Sequence, residues 1–494
     1  MSLHLASGRA RARLLAAALL PFAATALLSA PAAHAADPSR RVVVRFKHDV
    51  GAAERTAVLR AAGVGSSFAG AGGAVVGRLR RGTTAAAALT RLRAERPVAW
   101  VTPAYRARIA GFNPDDTGTT GHAAAAGGWS ARQWDFTGPF GIRAQDAWNL
   151  ARAAGADGGR GIVVGLLDTG VAYADRGPYV RSPDLPAVRM IRGRDFVGSD
   201  NFPNDENGHG TFVAGEIAAA ANNGYGMVGV AYAAKILAVR VLDQYGEGSS
   251  YRVAQGIRYA VDHGARVLNV SIELSDGVRP VSLTSAPDIR SALEYAKRHR
   301  VAVVGASGNS AVDNVPARKY GSLSIQVGGT TEHGCAADYS NDGPGLDLMA
   351  PGGGDDSPLL GDDANCNPGA PPGRTIRQIT FRASDPGRFI VPGDYEGTSM
   401  AAPHVTGVIA LMLAAKTLGD DPTPAQIEKR LKATARDLGV PGPDRAYGAG
   451  LLDAAAALGA PKAPPSTTPP SSNPAPAPTG TTPAPAPTGG PLLP

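Results

Sequence analysis

Residues 397–404 read GTSMAAPH, and the apolar run VTGVIALMLAAK follows them directly. The pattern places Gly397, Thr398 and Ser399 at the start of a helix that is apolar enough to be buried. Small polar residues at such a position are usually helix caps. Ser399 would instead be a nucleophile if other segments supplied a base, a carboxylate that orients the base, and a donor for the oxyanion.

Short apolar runs alternate with helical patterns over residues 133–460. Strands that are buried on both faces appear as continuous apolar runs, so the alternation predicts an α/β domain with a parallel sheet covered by helices. The predicted strands are GIVVGLLD (161–168), AKILAVRVL (234–242), ARVLNVSI (265–272), VAVVGAS (301–307) and LSIQVGG (323–329).

Three polar residues lie at the ends of these elements. Asp168 ends an apolar strand, at the carboxyl edge where parallel sheets bind ligands. His209 stands between two glycines before an apolar helix, which leaves its ring accessible. Asn309 follows a strand in a Gly-rich turn. Each residue type alone is more often structural, so the prediction depends on their combination with Ser399.

The combination matches the needs of acyl transfer. A serine hydroxyl is too weakly acidic to attack a carbonyl at neutral pH, so His209 would take its proton while Asp168 held the ring tautomer. The backbone N–H of Ser399 and the side-chain amide of Asn309 would stabilise the oxyanion. An aspartic protease is the alternative for Asp168, but it needs a second carboxylate motif, and no second Asp-Thr-Gly occurs in the sequence.

Four motifs resemble, in order and spacing, the signatures of the subtilisin-like serine proteases, the subtilases or peptidase S8 family. They are DTG (168–170), NGHGTFVAG (207–215), GASGN (305–309) and GTSMAAPH (397–404). The resemblance implies a three-layer α/β fold around a mainly parallel sheet, and peptide-bond hydrolysis through an acyl-enzyme. It assigns Asp168, His209 and Ser399 to the catalytic triad, and Asn309 with Ser399 to the oxyanion hole. It implies no cofactor for catalysis, and it allows structural calcium, for which the sequence indicates no site.

Two segments resemble the walls of the family's substrate cleft. Gly246 and Gly248 are placed like the edge strand that pairs with a peptide substrate. Ser271, Ile272 and Glu273 match the opposite wall, where Glu273 replaces a glycine common in the family. Its carboxylate would select a basic side chain or narrow the cleft, or a local loop change would turn it to solvent.

The first 35 residues predict export. Three arginines precede an apolar run, and AHA at 33–35 has the small residues of a signal-peptidase site. A membrane anchor is the alternative. Pro21 argues against it, because this residue interrupts the apolar run. We therefore expect a secreted protein without a transmembrane segment in its mature form. Cys335 and Cys366 would then either pair or remain free thiols.

Charge is distributed unevenly along the chain. Residues 38–110 contain fourteen Lys or Arg and three acids, whereas the whole chain carries +7, so the rest is acidic overall. This asymmetry favours docking of the basic segment on the acidic body over binding of nucleic acid. The alternative is that the basic residues only solvate the segment's surface. Residues 36–112 resemble the family's inhibitory propeptide, a small α+β domain.

Composition predicts two segments without a core of their own. Residues 113–132 are rich in Gly, Ala and Thr, which indicates a linker and a site of processing. Residues 461–494 are almost wholly Pro, Ala, Thr, Ser and Gly, which predicts a disordered tail.

The sequence thus predicts a secreted, autoprocessed serine endopeptidase that acts on proteins and peptides and has its own propeptide as intramolecular inhibitor. A catalytically silent binding or scaffold protein of the same fold is the alternative.

Overall fold

The computed structural model describes residues 41–69, 73–103, 111–275, 280–281, 286–312, 323–360, 363, 365–369 and 371–463. The predicted signal peptide, and the predicted tail from 464 onward, lie outside the described residues. The chain divides into two compact units, one ending at Ile109 and the other beginning at Ala110. Within the described ranges, every helix is too short or too polar to span a bilayer.

The first unit is an antiparallel sheet with two helices. Its strand order is β2-β3-β1-β4. In β1 every second residue is buried, and Val42, Val44 and Phe46 join Leu59 and Leu92 from the helices in one core. The elements are β1 (Arg41–Phe46), α1 (Ala52–Ala61), β2 (Val64–Ala69), β3 (Val75–Leu79), α2 (Ala85–Ala94) and β4 (Val98–Pro103).

The second unit contains a parallel sheet of seven strands in the order β13-β12-β11-β8-β5-β7-β6. Each of the five predicted apolar runs contains one of these strands, so the predicted parallel sheet is confirmed. The strands described in this unit are β5 (Val163–Asp168), β6 (Met190–Asp195), β7 (Lys235–Arg240), β8 (Val267–Val270), β9 (Leu274–Ser275), β10 (Pro280–Val281), β11 (Ala302–Ala306), β12 (Ile325–Thr330), β13 (Leu348–Pro351), β14 (Thr380–Arg382) and β15 (Asp385–Ile390).

Helices cover both faces of this sheet. Val164 and Leu166 of β5 pack into one apolar cluster with α5, α6 and α9, whereas Leu167 packs into a second cluster with α7 and α8. The sheet is therefore the middle of three layers, as predicted. The helices described here are α3 (Gly128–Arg132), α4 (Trp134–Thr137), α5 (Ala144–Ala153), α6 (His209–Ala218), α7 (Ser250–Asp262), α8 (Pro287–Arg298), α9 (Thr398–Ala414), α10 (Pro424–Thr434) and α11 (Ala454–Ala457).

Helix α9 runs through the core, and 15 of its 17 residues are buried. Its apolar surface on all sides explains this position, because such a helix has no face for water. Gly397 precedes it with φ +139°, a backbone conformation that residues with a Cβ rarely adopt. Ser399 and Ala414 are the two residues of α9 that are not buried.

The structure corrects the linker prediction for residues 113–132. Trp129 is buried, and its indole N–H donates to the carbonyl of Pro114 at 2.9 Å. Asp116 is also buried, and its carboxylate accepts a hydrogen bond from the backbone N–H of Asn222 at 2.9 Å. These contacts make the segment part of the second unit. A Gly- and Ala-rich composition indicates that the segment would be flexible as an isolated chain. Hydrogen bonds to distant residues hold it in place in the folded protein.

Candidate active site

Asp168 and His209 meet at the carboxyl edge of the parallel sheet. Asp168 is the last residue of β5 and is fully buried, and His209 is the first residue of α6, with a quarter of its side chain exposed. The Nδ1 atom of His209 lies 2.7 Å from Oδ1 of Asp168. Because a carboxylate only accepts, Nδ1 carries the proton, and Nε2 of the neutral ring is left as an acceptor.

Glycines let the two backbones approach closely enough for this contact. Gly208 caps α6 with φ +106°. A Cβ on Gly210 would lie 2.1 Å from the carbonyl oxygen of Gly170. Larger residues at Gly210 would therefore push His209 away from Asp168.

Asp205 organises the loop that presents His209. Its buried carboxylate accepts hydrogen bonds from the backbone N–H groups of Asn207 and Gly208, from the hydroxyl of Thr169, and from both the N–H and the hydroxyl of Thr211. The sequence alone did not predict a role for Asp205. An aspartate a few residues before a Gly-His-Gly turn is a local signal for such a backbone-binding side chain.

Ser399 is the second residue of α9, where backbone N–H groups point out of the helix. Its hydroxyl donates to the carbonyl of Ser271 at 3.3 Å. The hydroxyl of Ser271 in turn donates to the carbonyl of Ser399 at 2.9 Å. These two contacts join the end of β8 to the start of α9, and one rotation about Cα–Cβ would turn the Ser399 hydroxyl toward another acceptor.

The side chain of Asn309 is held by Thr398, the residue before Ser399. Its Oδ1 accepts hydrogen bonds from both the backbone N–H and the hydroxyl of Thr398, each at 2.8 Å. With its oxygen occupied in this way, the Asn309 amide can turn only its Nδ2 donors elsewhere. Thr398 was missed as a functional residue, because in the sequence it reads as an ordinary helix cap.

His209 and Ser399 line the same cavity, which has a volume of about 830 Å³. All five residues predicted to bind substrate line it as well: Gly246, Gly248, Ser271, Ile272 and Glu273. Gly248 forms a bridge with Leu242, and the exposed ring of Tyr245 lies between them in the chain. The cavity thus brings together residues from six segments that are distant in the sequence.

Glu273 is bound to the loop that carries Asn309. Its carboxylate accepts hydrogen bonds from the hydroxyl of Ser310 at 3.0 Å, from Nδ2 of Asn341 at 3.2 Å and from the backbone N–H of Asn309 at 3.3 Å. Glu273 is exposed, as expected for a side chain turned to solvent, but its carboxylate is also held by the protein. The side chain is exposed within the cavity but has three partners in the protein.

The environment of His209 raises its pKa above the ordinary value. Burial of the ring alone would lower the pKa, but the charge of Asp168 and the hydrogen bond from Nδ1 to it more than offset this effect. The positive form of the ring is therefore stabilised in the folded protein. A ring with a raised pKa takes up a proton more readily than an ordinary histidine does.

Two aspartates from distant segments approach the loop 222–227. Oδ1 of Asp184 accepts from the side-chain amide of Asn223 at 2.7 Å, and Oδ2 accepts from the N–H of Met227 at 2.9 Å. Burial raises the pKa of Asp184 to about 7 and that of Asp116 to about 6, and the charge of Asp116 raises that of Asp184 further. A Cβ on Gly226 would lie only 2.1 Å from Asp184. Both carboxylates thus accept hydrogen bonds from N–H groups of the loop 222–227.

The two cysteines lie outside the cavity lining. Cys335 and Cys366 are joined by a disulfide with an S–S distance of 2.02 Å. Two pairs of aspartates, 355–356 and 362–363, lie near the disulfide in the sequence; in the first pair Asp356 is buried and accepts hydrogen bonds from the hydroxyl of Thr331 and the N–H of Asn367. The second acidic pair, 362–363, lies partly outside the described residues.

Known proteins resemble this chain in sequence and in structure. A model of the subtilase family matches residues 159–450. Thermitase of Thermoactinomyces vulgaris is 35% identical over 286 residues, which are 58% of this chain and 83% of thermitase. Subtilisin Savinase of Lederbergia lenta is 35% identical over 301 residues, 60% of this chain and 91% of that protein. A solved protease structure from Pseudoalteromonas arctica superposes with a TM-score of 0.53 at 28% identity, covering 70% of this chain and 99% of that one.

The fold and these matches define a subtilisin-like serine endopeptidase. Because the family model spans more than half of the chain, the protein belongs to the subtilase family. The predicted family and enzyme class are therefore confirmed.

Proposed function

We propose that the protein is a secreted serine endopeptidase, made as a zymogen, which cuts peptide bonds with Asp168, His209 and Ser399 as its catalytic triad. The observation that carries this proposal is the 2.7 Å contact between His209 Nδ1 and Asp168, with Ser399 lining the same cavity as His209. The contact leaves Nε2 of His209 free to accept the Ser399 proton.

Acyl transfer then follows from the chemistry of these groups. His209 takes the proton as the Ser399 oxygen attacks the substrate carbonyl, and Asp168 stabilises the imidazolium that forms. The backbone N–H of Ser399 and Nδ2 of Asn309 donate to the oxyanion of the tetrahedral intermediate. His209 returns the proton to the leaving amine, and water then hydrolyses the acyl-enzyme by the same route. No cofactor takes part in these steps.

We also propose that residues 36–112 are an inhibitory propeptide that the enzyme removes from itself. The resemblance to family propeptides and the strong positive charge of the segment support this proposal. The ordered segment 111–132 argues for cleavage close to the boundary at Ile109 and Ala110, and against cleavage later in that segment.

The experiment that tests the zymogen is expression of the full chain with export allowed, as wild type and as Ser399→Ala, followed by the N-terminus and mass of each product. We expect the wild type to lose residues up to about the unit boundary and the variant to keep them. Identical trimming of both would mean that another protease matures the chain. Retention of the propeptide by both, with no peptide cleavage by either, would favour a silent scaffold.

The raised pKa of His209 predicts the acid side of the pH profile. Only the neutral ring accepts the Ser399 proton, so kcat/KM should fall about tenfold per pH unit below the pKa of His209. Because Asp168 raises that pKa, the midpoint should lie above the ordinary histidine value of about 6.5. Initial rates on a short peptide from pH 5 to 9 measure it, with samples returned to pH 8 to exclude denaturation. A midpoint at or below 6.5 would contradict the role of Asp168.

Glu273 predicts a preference for basic side chains before the cleaved bond. Its carboxylate lines the cavity, where a Lys or Arg of the substrate would gain a charge interaction. Glu273→Gln keeps the size of the side chain and removes its charge, and it turns one of the two acceptor oxygens into an amide donor. We expect kcat/KM for Lys and Arg peptides to fall about fivefold more than kcat/KM for a matched Leu peptide, since exposed ion pairs contribute up to about 1 kcal/mol. Equal rates on Lys, Arg and Leu peptides in the wild type would exclude this preference.

We further propose that Asp116 and Asp184 hold a structural calcium ion with the loop 222–227. Two buried carboxylates whose charges repel each other supply the hard-oxygen ligands that calcium takes. The bound ion would offset the repulsion and fix the loop.

Removal of calcium should therefore destabilise the protein. Calcium at about 100 times its Kd stabilises a folded protein by about 2.7 kcal/mol, which corresponds to roughly 5 °C in Tm for a domain of this size. Melting of the Ser399→Ala protein in calcium and in chelator measures the difference without self-digestion. Asp184→Asn is the matched variant and should melt at the same temperature in both buffers. An equal Tm of the Ser399→Ala protein in calcium and in chelator would contradict the calcium site.

A further inference from the structure

Asp135, Glu216 and His404 form a buried cluster that the proposed reaction does not use. Asp135 lies on α4, Glu216 near the end of α6 and His404 on α9. All three side chains have zero exposure to solvent. The ring of Phe136 meets the His404 ring edge-on at 5.7 Å, within the largest apolar cluster of the unit. Charges in such surroundings must be compensated by groups within the cluster.

The protonation of the His404 ring shows where the compensating positive charge must lie. Its Nδ1 lies 2.9 Å from the carbonyl oxygen of Met400, which only accepts, so Nδ1 carries a proton. Nε2 lies 3.1 Å from a carboxylate oxygen of Asp135 and 3.1 Å from one of Glu216. The lone pair of Nε2 in a neutral ring would repel both oxygens. A positive species, either a proton or a metal ion, must therefore lie between them.

Three of the four carboxylate oxygens of Asp135 and Glu216 accept no hydrogen bond from the described residues. Neither oxygen of Glu216 accepts a hydrogen bond from the residues that the structure describes, and Oδ1 of Asp135 accepts none either. One proton on His404 would leave two carboxylates facing one positive charge. A divalent ion would neutralise both carboxylates and use their unpaired oxygens as ligands.

We propose that Asp135, Glu216 and His404 bind a structural divalent metal ion, with zinc as the best match. Zinc takes imidazole nitrogen together with carboxylate oxygen, whereas calcium and magnesium prefer oxygen alone. A histidine that donates its other N–H to a backbone carbonyl is the usual arrangement of a metal-bound ring. The three ligand atoms lie within 4.8 Å of one another, and the 3.1 Å separations are close to the roughly 3.3 Å between neighbouring ligands of tetrahedral zinc.

The ion would connect the helices that carry the proposed base and nucleophile. Glu216 is on the helix that begins at His209, and His404 is five residues after Ser399 on α9. Since the cluster is closed to solvent, the ion would enter during folding and remain until the protein unfolds. Its role is to hold α4, α6 and α9 together, and it takes no part in the reaction.

Metal analysis of the full chain tests this inference, with Ser399→Ala as background to prevent self-cleavage. The protein is expressed with zinc in the medium, dialysed against chelator under native conditions, and its zinc content is measured by mass spectrometry. We expect about one zinc per chain, released only on unfolding. Glu216→Gln and His404→Gln should lower the zinc content to near zero, whereas Glu294→Gln, an exposed helical glutamate, should keep it. Calcium is counted separately and does not bear on this site.

A crystal structure of the same background protein, with anomalous data at the zinc edge, keeps the test valid if the variants fail to fold. A peak among Asp135, Glu216 and His404, about 2.0–2.2 Å from each, would support the site. Protein that is unfolded in chelator and refolded with zinc, yet holds less than about a tenth of an ion per chain, would overturn it, as would a peak elsewhere. The cluster would then hold a proton on Glu216, whose pKa burial and the Asp135 charge raise well above its ordinary value.

Discussion

Replacing Ser399 with alanine should lower kcat for peptide hydrolysis by about a million-fold, the loss that follows removal of a triad nucleophile. The change deletes one oxygen atom at a position that is not buried, so the fold should persist. A trace of wild-type protein can remove the propeptide of the variant. The activity of this added wild-type protein is then blocked before the variant is assayed. Both kcat and the Tm of the mature variant are measured.

Ser130→Ala is the matched control, because its hydroxyl makes only a local contact with the carbonyl of Gly127. It should retain wild-type kcat. A Ser399→Ala protein with more than about 1% of wild-type kcat would exclude Ser399 as the nucleophile.

Replacing Asp168 with asparagine should lower kcat by about ten-thousand-fold while the structure stays intact. The amide group of asparagine can donate to Nδ1 of His209, which shifts the ring proton to Nε2 and removes the acceptor for the Ser399 proton. The imidazolium also loses its counter-charge. We expect KM and Tm to change little, because the shape of the side chain is kept.

Asp421→Asn serves as the control for Asp168→Asn. Asp421 forms exposed ion pairs with Arg266 and Arg300, away from the cavity lining. It should leave kcat unchanged. A large rise in KM with unchanged kcat in Asp168→Asn would instead indicate that Asp168 shapes the substrate site and does not orient His209.

The parallel sheet was predictable because its central strands are buried on both faces. Runs such as 161–168 have no polar interruption before Asp168, and their boundaries therefore stand out. The strand β6 (Met190–Asp195) was missed for the opposite reason. It is an edge strand with the sequence MIRGRD, whose two arginines and glycine give no apolar run.

The positions of the site residues were predictable only as far as local patterns reach. Gly208 and Gly210 beside His209, and Gly397 before Ser399, indicated that these two side chains are accessible at the start of a helix. The partners of Glu273 were not predictable, because Ser310 and Asn341 come from distant loops whose placement depends on the whole fold. The same holds for Asp116, which reads as a loop residue until the Asn222 segment is brought against it. Hydrogen bonds between distant segments cannot be predicted from composition or from hydrophobic periodicity.

The most direct test of the Asp168–His209–Ser399 assignment is covalent labelling of the mature wild-type protein with a fluorophosphonate, followed by peptide mapping. The reagent modifies a serine only where a base activates its hydroxyl. We predict one adduct per chain, located on Ser399, with loss of activity in proportion to labelling. An adduct on another residue, or complete loss of activity without modification of Ser399, would contradict the assignment.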